Sequence, residues 1–292
     1  MSNTSIIPVS VDGVRLDTLA YNVEGLSGRL AMPGKRGENA VMPGMHGRSF
    51  MPKRFDSVSY TLRMWVIGSD EDGNAPDTMA NEYQGFRDNL DTLNQMFGVT
   101  HRPLDVRQTW PDGVRQAFMD CLQVVDPEIF GVRPTGKFAV ALENLGFWQD
   151  VDTQDYTSGG ALVSGTELAL GQFLGSTAPM MDYIYVVKGP ANNPLLKDPD
   201  TGHWIKLNKN LAAGEHWRLD AGNATSVTGV GIGFAGAGAS AIALTQYAGL
   251  HAPAMMGLTP RRLAAPHLTF EATGGTGAGT AVDVRGRRKY LS

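Results

Sequence analysis

The 292 residues carry 25 Lys and Arg against 29 Asp and Glu, a formal net charge of −4, and this lack of a basic excess speaks against a dedicated nucleic-acid binder. With 36 glycines, 16 prolines and 8% aromatic residues, the composition calls for many short elements joined by tight turns, a β-rich chain and not a helical bundle. The length fits two domains of average size.

Met1 to Gly13 shows no basic stretch followed by a long apolar core, so no secretory signal is read there and assembly in a cytosol is expected. From Ile6 to Leu16, two short alternating pieces around Asp12-Gly13 predict a β-hairpin. Gly25 to Arg54 then carries Arg29, Lys35, Arg36, Arg48, Lys53 and Arg54 against Glu38 alone, interleaved with Gly, Pro and four Met. Such a stretch buries little, and is read either as a solvated loop or as an arm over a neighbouring subunit or acidic partner.

Val58 to Ile67 (VSYTLRMWVI) predicts a strand, closed by Asp70-Glu71-Asp72-Gly73-Asn74. That acidic turn lacks the spaced ligands and terminal Glu of an EF-hand loop, and no metal is assigned to it. A helix is expected over Thr78 to Phe97, with Asp77 as N-cap, Gly98 as stop, and Met79, Tyr83, Phe86, Leu90, Leu93 and Phe97 forming one apolar stripe for a sheet; Gly85 weakens it. Strands follow over Leu104 to Arg107, Gln116 to Val125 and Phe138 to Glu143, with Trp110-Pro111-Asp112-Gly113 as a turn. The single cysteine, Cys121, lies in an apolar run as a buried, inert thiol and excludes a disulfide framework or a Cys-based zinc site. These elements give an α+β first domain, a small barrel or curled sheet closed by the helix, over 1–148, with Phe147-Trp148 as a plug of the barrel end.

The second domain, 149–292, opens with a strand at Thr166 to Leu170. Tyr183 to Ala221 reads as a β-meander: a strand to Val187 stopped by Gly189-Pro190, a step at Asn193-Pro194, the turn Asp198-Pro199-Asp200-Thr201-Gly202, a return strand His203 to Leu207, and His216 to Asp220 with Trp217 and Leu219 toward a core and His216, Arg218 and Asp220 toward water. No Asp, Glu, Lys or Arg occurs from Ala221 to Pro260. Val227 to Leu244 is long enough for a membrane span, but its five glycines, local alternation and lack of flanking Lys or Arg speak against one. Gly231-Ile232-Gly233-Phe234-Ala235-Gly236 matches a dinucleotide fingerprint by letter only, since no acidic residue follows until Glu271 and no βαβ unit surrounds it. Leu268 to Ala272 and Ala281 to Arg285 are read as a hairpin around Gly274 to Gly277, and the tail Arg285 to Tyr290 as exposed and basic.

The succession Lys188-Gly189-Pro190, Asn193-Pro194, Gly202-His203-Trp204-Ile205 and Leu211-Ala212-Ala213-Gly214-Glu215 resembles the second domain of distal tail proteins (Dit) of long-tailed bacteriophages. The resemblance implies a mainly β, α+β protein: an N-terminal barrel-like domain forming a commonly hexameric ring, and a galectin-like β-sandwich. It implies a homo-oligomer in the virion tail tip, joining the tail tube to the tail hub, with tube protein, tape-measure protein and tail-associated hub as partners and DNA passing through the lumen without specific binding. It favours the arm reading of Gly25 to Arg54.

No GxSxG, HExxH or Walker loop is present and the six His are scattered, so no enzyme, cofactor or metal is expected. A carbohydrate-binding tail accessory is the alternative, with Trp204, Trp217, His203 and His216 as candidate contacts for a host-surface glycan; Trp204 and Trp217 are assigned to core or rim packing more than to ligand. A cell-wall hydrolase would need a spatial pair of carboxylates that a sequence does not display.

Overall fold

A computed structural model describes residues 9–27, 32–37, 54–74, 76–130, 134–238, 240–241, 257–261 and 263–291. Two compact units result, Met1–Gln149 with Leu291–Ser292, and Asp150–Tyr290.

The first unit contains β1 (Val9–Val11), β2 (Val14–Arg15), β3 (Tyr21–Ser27), β4 (Lys35–Arg36), β5 (Arg54–Phe55), β6 (Val58–Ile67), helix α1 (Met79–Phe97), β7 (Leu104–Trp110), β8 (Gly113–Phe130) and β9 (Thr135–Asn144). The first hairpin turns at Asp12 and Gly13, both at positive φ (48° and 84°), which suits the Asp-Gly pair and matches the strand twist. The main sheet is antiparallel in the order β2-β1-β7-β8-β9-β6-β3. Alternation in β6 and β9 sends Tyr60, Leu62, Met64, Val66, Phe138, Val140 and Leu142 inward, each at most 1% exposed.

Helix α1 lies against β6 and β8. Its N-cap is Thr78, not Asp77: Thr78 has the extended backbone of a cap and its Oγ1 accepts the Asn81 N–H at 3.3 Å. The apolar stripe is narrower than the spacing predicts. Phe86, Leu93, Met96 and Phe97 are buried, whereas Met79 and Tyr83 are 53% and 49% exposed, because contact with the sheet begins at Phe86, whose ring rests on Gly136. Cys121 is half-buried, not buried; desolvation, then the charge of Asp120, pushes its thiol up and keeps it protonated. Trp148 is fully buried and its Nε1–H donates to the Tyr60 hydroxyl at 3.1 Å, so this aromatic plugs the unit's core.

After β10 (Trp148–Asp150), the second unit runs through β11 (Gln154–Thr157), β12 (Thr166–Ala169), β13 (Ile184–Lys188), β14 (Ala191–Asn192), β15 (Pro194–Lys197), β16 (Trp204–Lys206), β17 (Asn210–Leu211), β18 (Glu215–Asp220), β19 (Thr225–Val230), β20 (Ser240–Ala241), β21 (His267–Ala272), β22 (Ala281–Gly286) and β23 (Lys289–Tyr290). Two antiparallel sheets, β11-β22-β13-β18-β19-β20 and β12-β21-β15-β16, share one core: Tyr185, Val187, Trp217, Leu219, Val282 and Val284 from the first meet Leu168, Leu196, Ile205, Leu268 and Phe270 from the second.

This arrangement corrects three expectations. Tyr183 to Ala221 is not a meander, because β13 pairs with β18 while the β15-β16 hairpin leaves for the other sheet. Gly274 to Gly277 does not close a hairpin, since β21 pairs with β12 and β15 while β22 pairs with β11 and β13. Nor is the basic tail free: Arg285 chelates Asp155, Arg288 pairs with Asp150, Lys289 is 7% exposed and pairs with Asp182, and Tyr290 is buried. Arg285, Arg288 and Lys289 each have a carboxylate opposite them and Arg287 donates to the Val151 carbonyl at 3.2 Å, which turns a basic run into structure.

Local turns follow the side chains that define them. Asp198 is fully buried, its carboxylate accepting from the Asp200 N–H, Thr201 Oγ1 and Thr259 Oγ1 at 3.0, 2.9 and 2.7 Å. The pieces Gly189-Pro190 and Leu211 to Glu215 lie together: the Gly189 N–H donates to the Glu215 carbonyl at 2.8 Å, and a side chain at Gly189 would run into the Ala212 carbonyl.

Candidate interaction surface

The long hairpin of β8 and β9 carries the most concentrated exposed apolar surface among the described residues. Val114, Phe118, Leu122, Val125, Ile129 and Phe130, all on β8, are between 41% and 62% exposed. In a regular strand facing water on one side, alternate residues would be polar. Here Val114, Phe118, Val125 and Phe130 alternate on the water side with Asp120, Gln123 and Glu128, and the bulge between Cys121 and Gln123 leaves Leu122 unpaired and exposed among them, while Ile129 stays in the ladder opposite Gly136.

Register extends this face across the sheet. Val125, Ala139 and Arg63 form one row, and Glu128, Lys137 and Trp65 the next. The Trp65 ring stands 5.7 Å from Phe130, the Lys137 ammonium lies 4.7 Å from its centroid, and its Nε1–H donates to Glu24 at 2.5 Å. Glu24, Arg63, Val125, Glu128, Lys137 and Ala139 line a depression of about 310 Å³ in this face. Glu24, Arg63, Glu128 and Lys137 give this depression charges of both signs around Val125 and Ala139. No group of three or more His, Cys, Asp or Glu among the described residues could hold a metal ion. Periodicity alone missed this face, because Val114, Phe118, Val125 and Phe130 fall on a strand's period, and only their exposure marks them as uncovered.

The basic stretch is only partly described. Lys35 and Arg36 form β4, paired with Phe55 and Arg54 of β5, while Arg29, Arg48 and Lys53 lie outside the described residues. This two-stranded stem is fixed by the Asp56 N–H to the Gly34 carbonyl at 2.7 Å, by Arg36 at 3.5 Å from Asp56, by Lys35 at 5.9 Å from the Phe55 ring, and by Phe55 edge-on to Phe147 at 5.7 Å. Arg36 and Arg54, described residues on either side of 38–53, are thus register partners.

The four candidate glycan contacts are not brought together. Trp204 lies on β16 and Trp217 on β18, in different sheets rather than on neighbouring strands. Trp217 is fully buried with its Nε1–H on Ser226 Oγ at 2.9 Å, so it presents no ring face to a sugar. His216 Nδ1 accepts the Gly233 N–H at 3.2 Å; burial, then the nearby Lys188 charge, holds its imidazole below the usual range. His203 and Trp204 are half-buried beside the Asp198 turn. Gly231, Gly233 and Gly236 lie in turns directly after β19, and among the described residues no helix begins at them as a dinucleotide fingerprint requires. No described helix is long and apolar enough to cross a membrane.

No family model matches this chain, and no curated protein matches it. Among solved structures it is similar to the SPP1 Dit protein, described as a paradigm of the hub adsorption apparatus in phages infecting Gram-positive hosts, at TM-score 0.58 and 13% identity, covering 96% of this chain and 98% of that one. The baseplate of phage p2 in its activated conformation with calcium overlaps at TM-score 0.37 and 10% identity, covering 97% and 98%, too distant to bear on the fold. The fold of this chain, over both units, is that of the SPP1 Dit protein.

Proposed function

We propose that this chain is a structural distal tail protein of a bacteriophage tail tip, forming a ring that joins the tail tube to the hub. The observation that carries the proposal is the match of fold along nearly the whole chain to a hub protein. Chance likeness of a single β-sandwich would cover one unit, not both. The exposed apolar face of β8, with its charged border, supports assembly, since surfaces of this kind are covered in the working complex. Closed heterologous contacts between identical copies make a ring with a lumen, and the function is geometric, with no bond chemistry asked of the protein.

In this reading the assembly is a hexamer in the virion, built in the host cytoplasm. The tube protein, tape-measure protein and tail hub are its partners, and DNA passes through the lumen without sequence recognition. The arm on the β4-β5 stem reaches a neighbouring copy. The test is electron microscopy of the purified protein, with light scattering across concentration, alone and with the tube and hub proteins. Closed rings are expected. A strict monomer under every one of those conditions would overturn the proposal.

A further inference from the structure

We infer that the glycine-rich turn 231–238 is a flap over the outer face of the six-stranded sheet, released in acid through His216. That face is covered. Val186 alternates away from the core residues Tyr185 and Val187, yet it is fully buried, and its register neighbours are Arg218 and Asp283. The flap rests on Arg218, which Gly236 approaches so closely that a side chain there would meet the arginine stem at 3.2 Å. Ile232 is 5% exposed, and Phe234 lies under the Arg285 guanidinium at 4.3 Å.

Three hydrogen bonds tie the flap down: the Gly231 N–H to the Gly214 carbonyl at 3.0 Å, Arg218 Nε–H to the Phe234 carbonyl at 2.7 Å, and the Gly233 N–H to His216 Nδ1 at 3.2 Å. The last needs an unprotonated nitrogen. An imidazolium has two N–H donors and no acceptor, so protonation replaces an attraction with two donors face to face. It also places a second cation beside Lys188, the register partner of His216 on β13.

The other groups facing His216 set the direction. Asp283 of β22 would favour the imidazolium, but it is already paired with Lys188 at 2.5 Å. Gly229 of β19 brings no charge, and on β18 itself Arg218 is paired with Asp220. The net effect keeps His216 neutral while the flap is down, burial acting first and Lys188 second. An open flap returns the ring to an ordinary value near ~6.5, so opening takes up a proton and acid favours it. The carboxylates that frame the sheet stay ionised meanwhile. Asp155 is held down by its bonds from Arg285, and Asp220, despite burial, by Asn223 and Arg218. The flap leaves while the sheet remains.

Hydrogen exchange read by mass spectrometry on the full-length protein tests this at pH 7 and pH 5, after correction for intrinsic exchange. Protection of 231–238 is expected to be lower at pH 5 than at pH 7, while β13 and β18 keep theirs. His216→Asn keeps an acceptor near the Nδ1 position and cannot titrate, so its flap should stay protected at pH 5. His216→Phe should leave the flap unprotected at both pH values. Unchanged protection in the wild type, an His216→Asn flap as acid-sensitive as the wild type, or loss of protection in β13 together with the flap would each overturn the inference.

Discussion

Gly85 of helix α1 lies directly over Gly68: a Cβ at Gly85 would stand 2.8 Å from the Gly68 carbonyl oxygen. A glycine in a helix interior costs about 1 kcal/mol in propensity relative to alanine, so read alone Gly85 is a flaw in the helix. The approach to Gly68 gives the reason for it. Gly85→Ala should destabilise the protein despite the better propensity, by about 1 to 3 kcal/mol, since backbone must shift to admit the methyl group. Urea midpoints at constant slope decide this; a more stable variant would show that the close approach has no energetic weight.

Trp217→Ala removes a fully buried ring and leaves Ser226 Oγ without its donor. A loss of about 3 to 5 kcal/mol is expected in thermal or urea unfolding. Ser226→Ala should cost only about 1 kcal/mol, the scale of one buried hydrogen bond. An unfolding transition left unmoved by Trp217→Ala would contradict the packing role.

How far these features were legible in the chain depended on their range. The Asp12-Gly13 hairpin, the β6 alternation and the body of α1 are specified by residues within a few positions of one another. Thr78 and Asp77 are both good caps, and only the extended backbone at Thr78 separates them. The pairing of β13 with β18 across the β15-β16 excursion is a choice between sheets, and strand sequences that are apolar on alternate residues fit either one. The tail from Arg285 to Tyr290 looked exposed because its partners, Asp150, Asp155 and Asp182, lie more than a hundred residues away. The β8 face was hidden for a different reason: its apolar residues obey the strand period, and only burial separates a core face from a docking face.

Asp220 should carry an acid-sensitive part of the stability. Burial works to raise its carboxyl, but the Asn223 N–H at 3.0 Å, the Asn223 amide at 3.0 Å and the Arg218 guanidinium outweigh that and hold it below the ordinary range. A carboxylate with a depressed folded value stabilises above its unfolded value near ~3.9 and loses that contribution as pH falls through the folded value. Asp220→Asn should therefore destabilise by about 1 to 2 kcal/mol at pH 7, with the difference from wild type shrinking below about pH 4. Paired urea titrations from pH 7 to pH 3 check it. A difference that stays constant over that range would assign the effect to shape and not to charge.

Assembly should depend on the β8 face and on the arm separately. Leu122→Asp with Val125→Asp changes two side chains that are 52% and 47% exposed, so the folded monomer should lose less than about 1 kcal/mol, while a charge buried in a contact costs several times more. The arm reading of 38–53 is tested by a deletion that spares the described stem. Deleting 38–52 joins Gly37, at φ 114°, to Lys53, a two-residue Gly-X loop that closes the β4-β5 pair Arg36 and Arg54. Both variants should keep the wild-type thermal transition and elute as smaller species than the wild type by light scattering. Arm and face contribute independently if each variant alone shifts the distribution and the combination shifts it further. Should the arm deletion assemble as the wild type does while the face variant does not, the ring is held by sheet contacts alone and the arm belongs to another partner of the tail tip.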